Sequence, residues 1–242
     1  MAMLSKIPAI STAQMIEVDR LMTDVYQIEL VQMMENAGRH LAALARSRFL
    51  DNNPIKKTIL VLAGNGGNGG GGFVAARRLH SWGAIVHVFL AREENDFRGI
   101  PRHQLEILRR MGVMIIEPTD HLGNLPNADL LLDALIGYSL TGNPHGHAKQ
   151  LIKLANSHSA PILSLDVPSG IDATSGKAFH PHIKATATLT LALPKTGLIS
   201  KDSISHVGEL FLADISVPPE LYSNIGLNIG PIFSQEEILK IT

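Results

Sequence analysis

Apolar residues fall into two patterns along the chain. Near the start, Leu30, Val31, Met34, Ala37, Leu41, Leu44 and Ala45 recur at spacings of three and four, which lays an apolar stripe along one face of a helix running to about residue 49. Asp51, Asn52, Asn53 and Pro54 end it. Ahead of it, Ser11 and Gln14 form a capping box that opens another helix, reaching about residue 25. Beyond residue 54 the pattern changes to short apolar runs at 58–63, 85–90, 113–116, 130–134, 162–165, 186–191 and 209–212, rich in Val, Ile, Leu or Thr. Runs apolar at every position suit strands covered on both faces. Between them lie helical stretches at 72–81, closed by Gly83, at 102–111, closed by Gly112, and at 147–157. Ser234 and Glu237 make a further capping box, which predicts a short terminal helix. The alternation predicts an α/β fold on a mostly parallel sheet, with two helices preceding it. No repeat, linker or charge run divides the chain, so residues 1–242 read as one domain.

Composition narrows the function classes. Apolar residues make up 45% and charged residues 18% of the 242, enough for a true core and too little charge for disorder. The 21 Lys and Arg nearly balance 22 Asp and Glu, so the basic footprint of a nucleic-acid or anionic-membrane binder is missing. With no cysteine there is no disulfide, thiolate metal site or thiol nucleophile. Residues 1–8 do not read as a signal peptide, and no stretch approaches the roughly 18 apolar residues of a membrane span. A cytoplasmic location is expected.

Glycine is distributed abnormally: seven of 21 fall between Gly64 and Gly72. That run follows the first strand and precedes a helix, where an α/β sheet offers backbone N–H groups and a helix N-terminus to a phosphate. Gly64, Gly66 and Gly69 match G-x-G-x-x-G, with Glu93 and Glu94 after the second strand as ribose-binding candidates. The match is weak in so glycine-rich a run. Phe73 and Val74 follow the glycines, which excludes a P-loop Lys-Ser/Thr pair.

In such sheets ligands sit beyond the carboxyl ends of the strands, and three polar residues lie there. Asp133 interrupts the apolar run 130–136, Asp166 opens Asp-Val-Pro-Ser-Gly-Ile-Asp, and Lys195 ends Leu-Ala-Leu-Pro-Lys. A carboxylate inside an apolar run has to be paired, cation-bound or shifted in pKa. Asn68, Asp133, Asp166 and Ser169 are hard oxygen donors suited to magnesium, calcium or an alkali cation, and with two charges among them potassium fits at least as well as a divalent ion. His145 and His147, and His180 and His182, are spaced as surface residues, and no G-x-S-x-G nucleophile elbow occurs.

These motifs together resemble the NAD(P)H-hydrate epimerase family, the YjeF N-terminal-like domain, over nearly the whole chain. The matching stretches, in order, are Ser11 to Met15 with Asp19, Met34-Glu35-Asn36-Ala37-Gly38, the glycine run with Ala75-Ala76-Arg77, Asp133 to Gly137, Asp166 to Asp172, Pro194 to Leu198, and Gly208-Glu209-Leu210 with Asp214-Ile215. The resemblance implies a three-layer αβα Rossmann-like sandwich, a homodimer, and interconversion of the R and S forms of hydrated NADH and NADPH (NADHX and NADPHX). It implies a potassium ion at Asn68, Asp133 and Ser169. It implies substrate along Gly67, Asn68, Gly69, Gly70 and Gly71, along Gly137, Tyr138, Ser139, Leu140, Thr141, Gly142 and Asn143, and at Asp166. Asp166 is expected to handle the proton, with Lys195 supporting it as the second catalytic residue. The sequence departs from the family pattern at Gly67 and Gly71, where Asn and Asp are usual, and at Tyr138-Ser139, where G-T-G is usual after Asp133. A non-catalytic nucleotide-binding or scaffold module of the same fold is the alternative. Many relatives carry an ADP- or ATP-dependent NAD(P)HX dehydratase in the same chain; here a separate one is the expected pathway partner.

Overall fold

The computed structural model describes residues 7–119, 122–200 and 203–242, which leaves the first six residues of the 1–8 stretch outside it. Helix α1 (Thr12–Arg20) runs on as a π-helical turn, Leu21–Val25, and starts as its sequence predicts. Gln14 N–H donates to Ser11 Oγ at 3.3 Å and Ser11 N–H donates to Gln14 Oε1 at 3.0 Å. Helix α2 (Leu30–Phe49) follows. Then come β1 (Thr58–Ala63), α3 (Gly67–Ser81), β2 (Ile85–Leu90), α4 (Gly99–Arg110), β3 (Met114–Ile116), β4 (Leu130–Ala134), α5 (Gly146–Ser157), β5 (Ile162–Leu165), β6 (Ala187–Leu191), α6 (Ile204–Val207), β7 (Glu209–Ala213), α7 (Pro219–Ser223) and β8 (Ile238–Lys240).

One eight-stranded sheet has the order β3-β2-β1-β4-β5-β6-β7-β8, parallel throughout except for β8. Its central strands β4 and β5 are buried at every position because they are covered twice. Ile59, Val61 and Ala63 of β1 pack in the cluster that holds α1 to α4, whereas Leu60 and Leu62 join Leu151, Ile152 and Ala155 of α5. Three layers result, helix on sheet on helix.

Two elements differ from the sequence pattern. The terminal helix expected from Ser234 and Glu237 is instead β8, paired antiparallel with β7 through Phe211↔Lys240 and Ala213↔Ile238. Pairing with the exposed edge of β7 satisfies the backbone there, and Glu237 turns to Arg39 at 3.3 Å rather than back to a cap. Helix α3 starts at Gly67, five residues before the predicted start, so most of the glycine run is helical.

Candidate active site

Chain direction across the sheet reverses between β1 and β4: β1 leads outward to β2 and β3, and β4 leads the other way to β5. That is the switch point, where the loops leaving two adjacent strands splay apart and open a crevice. A cleft of about 370 Å³ lies there. Asn65, Gly66, Gly67 and Asn68 after β1 form one wall, Leu135 to Ser139 after β4 another, and Leu165 and Asp166 after β5 a third. Helices α1 and α2 close it with Met15, Asp19, Leu30, Met33 and Met34.

The glycines divide into two kinds. A Cβ on Gly69 would lie 1.8 Å from the Gly64 carbonyl oxygen, one on Gly72 2.6 Å from Ala134 Cβ, and one on Gly70 2.6 Å from Met34 Sδ. These let α3 press against β4, α2 and its own approach loop. Gly66 meets nothing within 4 Å and Gly67 only Met34 Cε at 3.9 Å, so both face open cleft. Gly67 and Gly71 therefore differ physically. Gly67 leaves space a longer side chain could occupy, whereas at Gly71 Leu165 Cδ2 stands 2.8 Å from the Cβ position. Because α3 begins at Gly66–Gly67, its free N–H groups and positive end are directed to the cleft, with no acidic residue in the first turn to oppose an anion.

Asp133 is fully buried. Its Oδ2 accepts from Ser164 Oγ and from Ser169 N–H, both at 2.8 Å, and its Oδ1 accepts from Ser169 Oγ at 2.6 Å and Leu135 N–H at 3.3 Å. Burial pushes its carboxyl above the usual carboxylate range, against the pull of those four donors. The Ser169 hydroxyl also accepts from Ile136 N–H at 2.9 Å, tying the β4 exit loop to the β5 turn. Asn68 donates its amide N–H to Leu165 carbonyl oxygen at 3.1 Å, and its Oδ1 lies 3.5 Å from the Cβ position of Gly137. In kind, Asn68, Asp133 and Ser169 fit a monovalent cation, with oxygen donors only and a single carboxylate. Asp133 is already satisfied by protein donors, so the Ser169 hydroxyl proton stands where a cation would have to sit. Among the described residues no group of three or more His, Asp or Glu has metal-binding placement.

Asp166 is 4% exposed, with a φ of +65°, a left-handed backbone that a non-glycine residue holds only when its surroundings impose it. The surroundings are visible: Asp166 N–H donates to Leu189 carbonyl oxygen at 2.7 Å, and Lys195 Nζ donates to Asp166 Oδ1. Lys195 has no exposed surface, and it also donates to Leu191 carbonyl oxygen at 2.9 Å and Thr190 Oγ1 at 3.3 Å. It lies behind the carboxylate and does not line the cleft. The Oδ2 of Asp166 faces Gly137, 3.4 Å from that residue's Cβ position. Any side chain at Gly137 would cover the carboxylate.

Of the residues named from the sequence, the cleft gathers Gly67, Asn68, Gly137, Tyr138, Ser139 and Asp166. Lys195, Asp133 and Ser169 stand behind its wall. Gly69, Gly70 and Gly71 are buried in α3, and Leu140 to Asn143 do not line the cleft; Asn143 Oδ1 accepts from His180 N–H at 3.0 Å. Neither Glu93 nor Glu94 lines it, and Glu94 is paired with Arg102 at 3.7 Å and with Arg109. His182 meets His206 at 3.1 Å, a partner no local spacing could indicate. Asp19 stood in the sequence only as a motif match. Its signal was a carboxylate four residues beyond Met15 on the buried side of α1, and its Oδ2 accepts the hydroxyl proton of Tyr138.

Fold and site define a doubly wound α/β protein with a nucleotide-type crevice, an aspartate in its wall and a buried lysine behind that aspartate. The chain belongs to the family of YjeF-related protein N-termini, whose profile matches residues 30–197. It is 42% identical over 221 residues to an NAD(P)H-hydrate epimerase of Dehalogenimonas lykanthroporepellens, covering 91% of this chain and 87% of that one. It is 36% identical to an NAD(P)H-hydrate epimerase of Truepera radiovictrix, covering 90% and 94%. A bifunctional NAD(P)H-hydrate repair enzyme of Moorella thermoacetica is also 36% identical, over 90% of this chain but 42% of its own length. The crystal structure of yeast ynu0 superposes with a TM-score of 0.80 at 24% identity, covering 97% of this chain and all of that one, which establishes the shared fold.

Proposed function

We propose that the protein interconverts the R and S forms of hydrated NADH and NADPH, an isomerase acting in nicotinamide nucleotide repair. The observation that carries this reading is Asp166: a carboxylate fixed by Lys195 in a strained backbone, presented to a largely apolar cleft at the switch point. The relatives' names supply the substrate. The reacting centre is a hydroxylated ring carbon bonded to nitrogen, and inverting it requires proton transfer in a site poor in water. Asp166 handles that proton through Oδ2. Lys195 positions Asp166, because its ammonium donates to Oδ1 and to two internal oxygens. The N-terminus of α3 and the uncrowded Gly66–Gly67 backbone receive the anionic part of the nucleotide.

Finer points extend the reading. Asn68, Asp133 and Ser169 would hold a potassium ion, which supplies fixed positive charge between the glycine loop and the β5 turn. The protein works as a cytoplasmic homodimer, with an ADP- or ATP-dependent dehydratase as pathway partner; relatives in which this domain makes up under half of a bifunctional chain support that link. No helix among the described residues is long and apolar enough to cross a membrane.

A coupled assay tests the activity. An equal mixture of NADPHX epimers is given an S-specific dehydratase with and without the protein. The R half is expected to be consumed well above its spontaneous rate when the protein is present; consumption at the spontaneous rate rejects the epimerase reading.

A further inference from the structure

Three ionisable side chains line the cleft among the described residues: Asp166, Asp19 and Tyr138. They arrive from three elements, the turn after β5, α1 and the loop after β4. Tyr138 donates its hydroxyl proton to Asp19 Oδ2, which joins α1 to the β4 exit loop across the cleft. The groups bearing on Asp19 are Tyr138, Lys195 and Asp166. Burial raises the Asp19 carboxyl above its ordinary range and Asp166 adds to the rise, while Tyr138 and Lys195 oppose it. Burial and the Asp19 charge also raise the Tyr138 hydroxyl, so Tyr138 keeps its proton and Asp19 is the member that changes charge.

The chemistry asks for two such groups. A hydroxyl on a ring carbon bonded to nitrogen is a carbinolamine. Its C–O bond breaks when the hydroxyl takes a proton and leaves as water while the nitrogen lone pair forms a C=N⁺ bond. Water adding to the other face, with loss of one proton, gives the other epimer. One proton enters and one departs, so no oxidant or reductant is needed. The departing and arriving oxygens lie on opposite faces of a flat ring, and a single carboxylate on one side cannot serve both while the ring stays bound.

We propose that Asp19, held in place by Tyr138, is the second proton-handling group of this cleft and works on the ring face that Asp166 does not reach. The proposal rests on the epimerase reading above. In one direction Asp19 gives a proton to the departing hydroxyl and Asp166 takes one from the arriving water; in the other the roles reverse. Each turnover leaves the two carboxyls in exchanged protonation states, and exchange with solvent resets them.

Asp19→Asn keeps the shape and can still accept the Tyr138 hydrogen bond but cannot carry a proton. Its kcat is expected to fall about 100-fold or more in both directions, with KM within about threefold of wild type. A wild-type kcat in Asp19→Asn overturns the proposal, because a structural role alone is preserved in that variant. Tyr138→Phe removes a hydrogen bond that favours ionised Asp19, so the limb of the pH–rate profile belonging to Asp19 is expected to move to higher pH. An unmoved limb overturns the proposal even if Asp19→Asn fails to fold. Wild-type protein that does not accelerate epimerisation removes the function reading and this proposal with it. Active wild type alongside an equally active Asp19→Asn removes this proposal alone.

Discussion

Lys195 and Asp166 depend on each other in an unequal way. The lysine is fully enclosed and every donor it has is used inside the protein, whereas the aspartate turns one oxygen toward the cleft. Replacing Lys195 by Met keeps the volume but leaves a buried carboxylate without its counter-charge. A loss of about 3–5 kcal/mol is expected, read from urea unfolding at neutral pH, together with loss of turnover; a variant as stable as wild type would show the pair to be dispensable. His40 is a further buried titratable group, 2% exposed, with Arg39 Nη2 3.2 Å from its Nε2. Burial and the neighbouring Arg39 hold its pKa below 6.5. The unfolded chain therefore binds the proton more readily, so this contribution to stability is present above pH 6.5 and is lost as pH falls below it. His40→Gln is expected to flatten the fall in urea midpoint between about pH 7 and 5.5; the same slope in both proteins would place the acid sensitivity elsewhere. At this scale much was legible, because Asp133, Asp166 and Lys195 each end or interrupt an apolar run. The Tyr138–Asp19 contact was not, since it joins residues 119 positions apart.

Helix α3 shows what local sequence could and could not convey. Glycine is a poor helix former, so a reading by propensity starts the helix at Gly72. Tertiary packing decides otherwise: the first turns of α3 lie so close to β4, α2 and the Gly64 loop that three of its glycines have no room for a methyl group. The glycine run is a packing device at Gly69, Gly70 and Gly72 and an open binding edge at Gly66 and Gly67. Gly69→Ala is expected to cost about 3 kcal/mol or more, because the obstacle is backbone. Gly67→Ala is expected to be neutral or to stabilise by up to about 1 kcal/mol, since it adds helix propensity in open space. Thermal unfolding of the two variants checks this contrast, and equal effects would contradict it. The terminal segment carries the same lesson in reverse: Ser234 and Glu237 form a sound helix-start signal, yet the unpaired edge of β7 recruits the segment as a strand. Neither local propensity nor a capping pattern records a neighbouring edge.

At the scale of the whole molecule, alternating strands and helices were enough to predict the class of fold, and the strand order then explains why the candidate residues meet. Asn68, Gly137 and Asp166 are far apart in sequence but leave β1, β4 and β5, three strands adjacent in the sheet, and so converge on one crevice. Of the loop 140–143, which the family resemblance groups with them, Asn143 accepts from His180 N–H at 3.0 Å. The curated relatives align with the chain over most of its length, and the yeast structure shares its fold. The decisive measurement follows the R form of NADPHX alone, by chiral chromatography, in buffer, with wild-type protein and with Asp166→Asn. Wild type is expected to produce the S form far above the buffer rate, and Asp166→Asn to lose about 10²–10⁴ of that acceleration while remaining folded. Wild-type rates in Asp166→Asn would contradict the assignment of the reaction to this carboxylate.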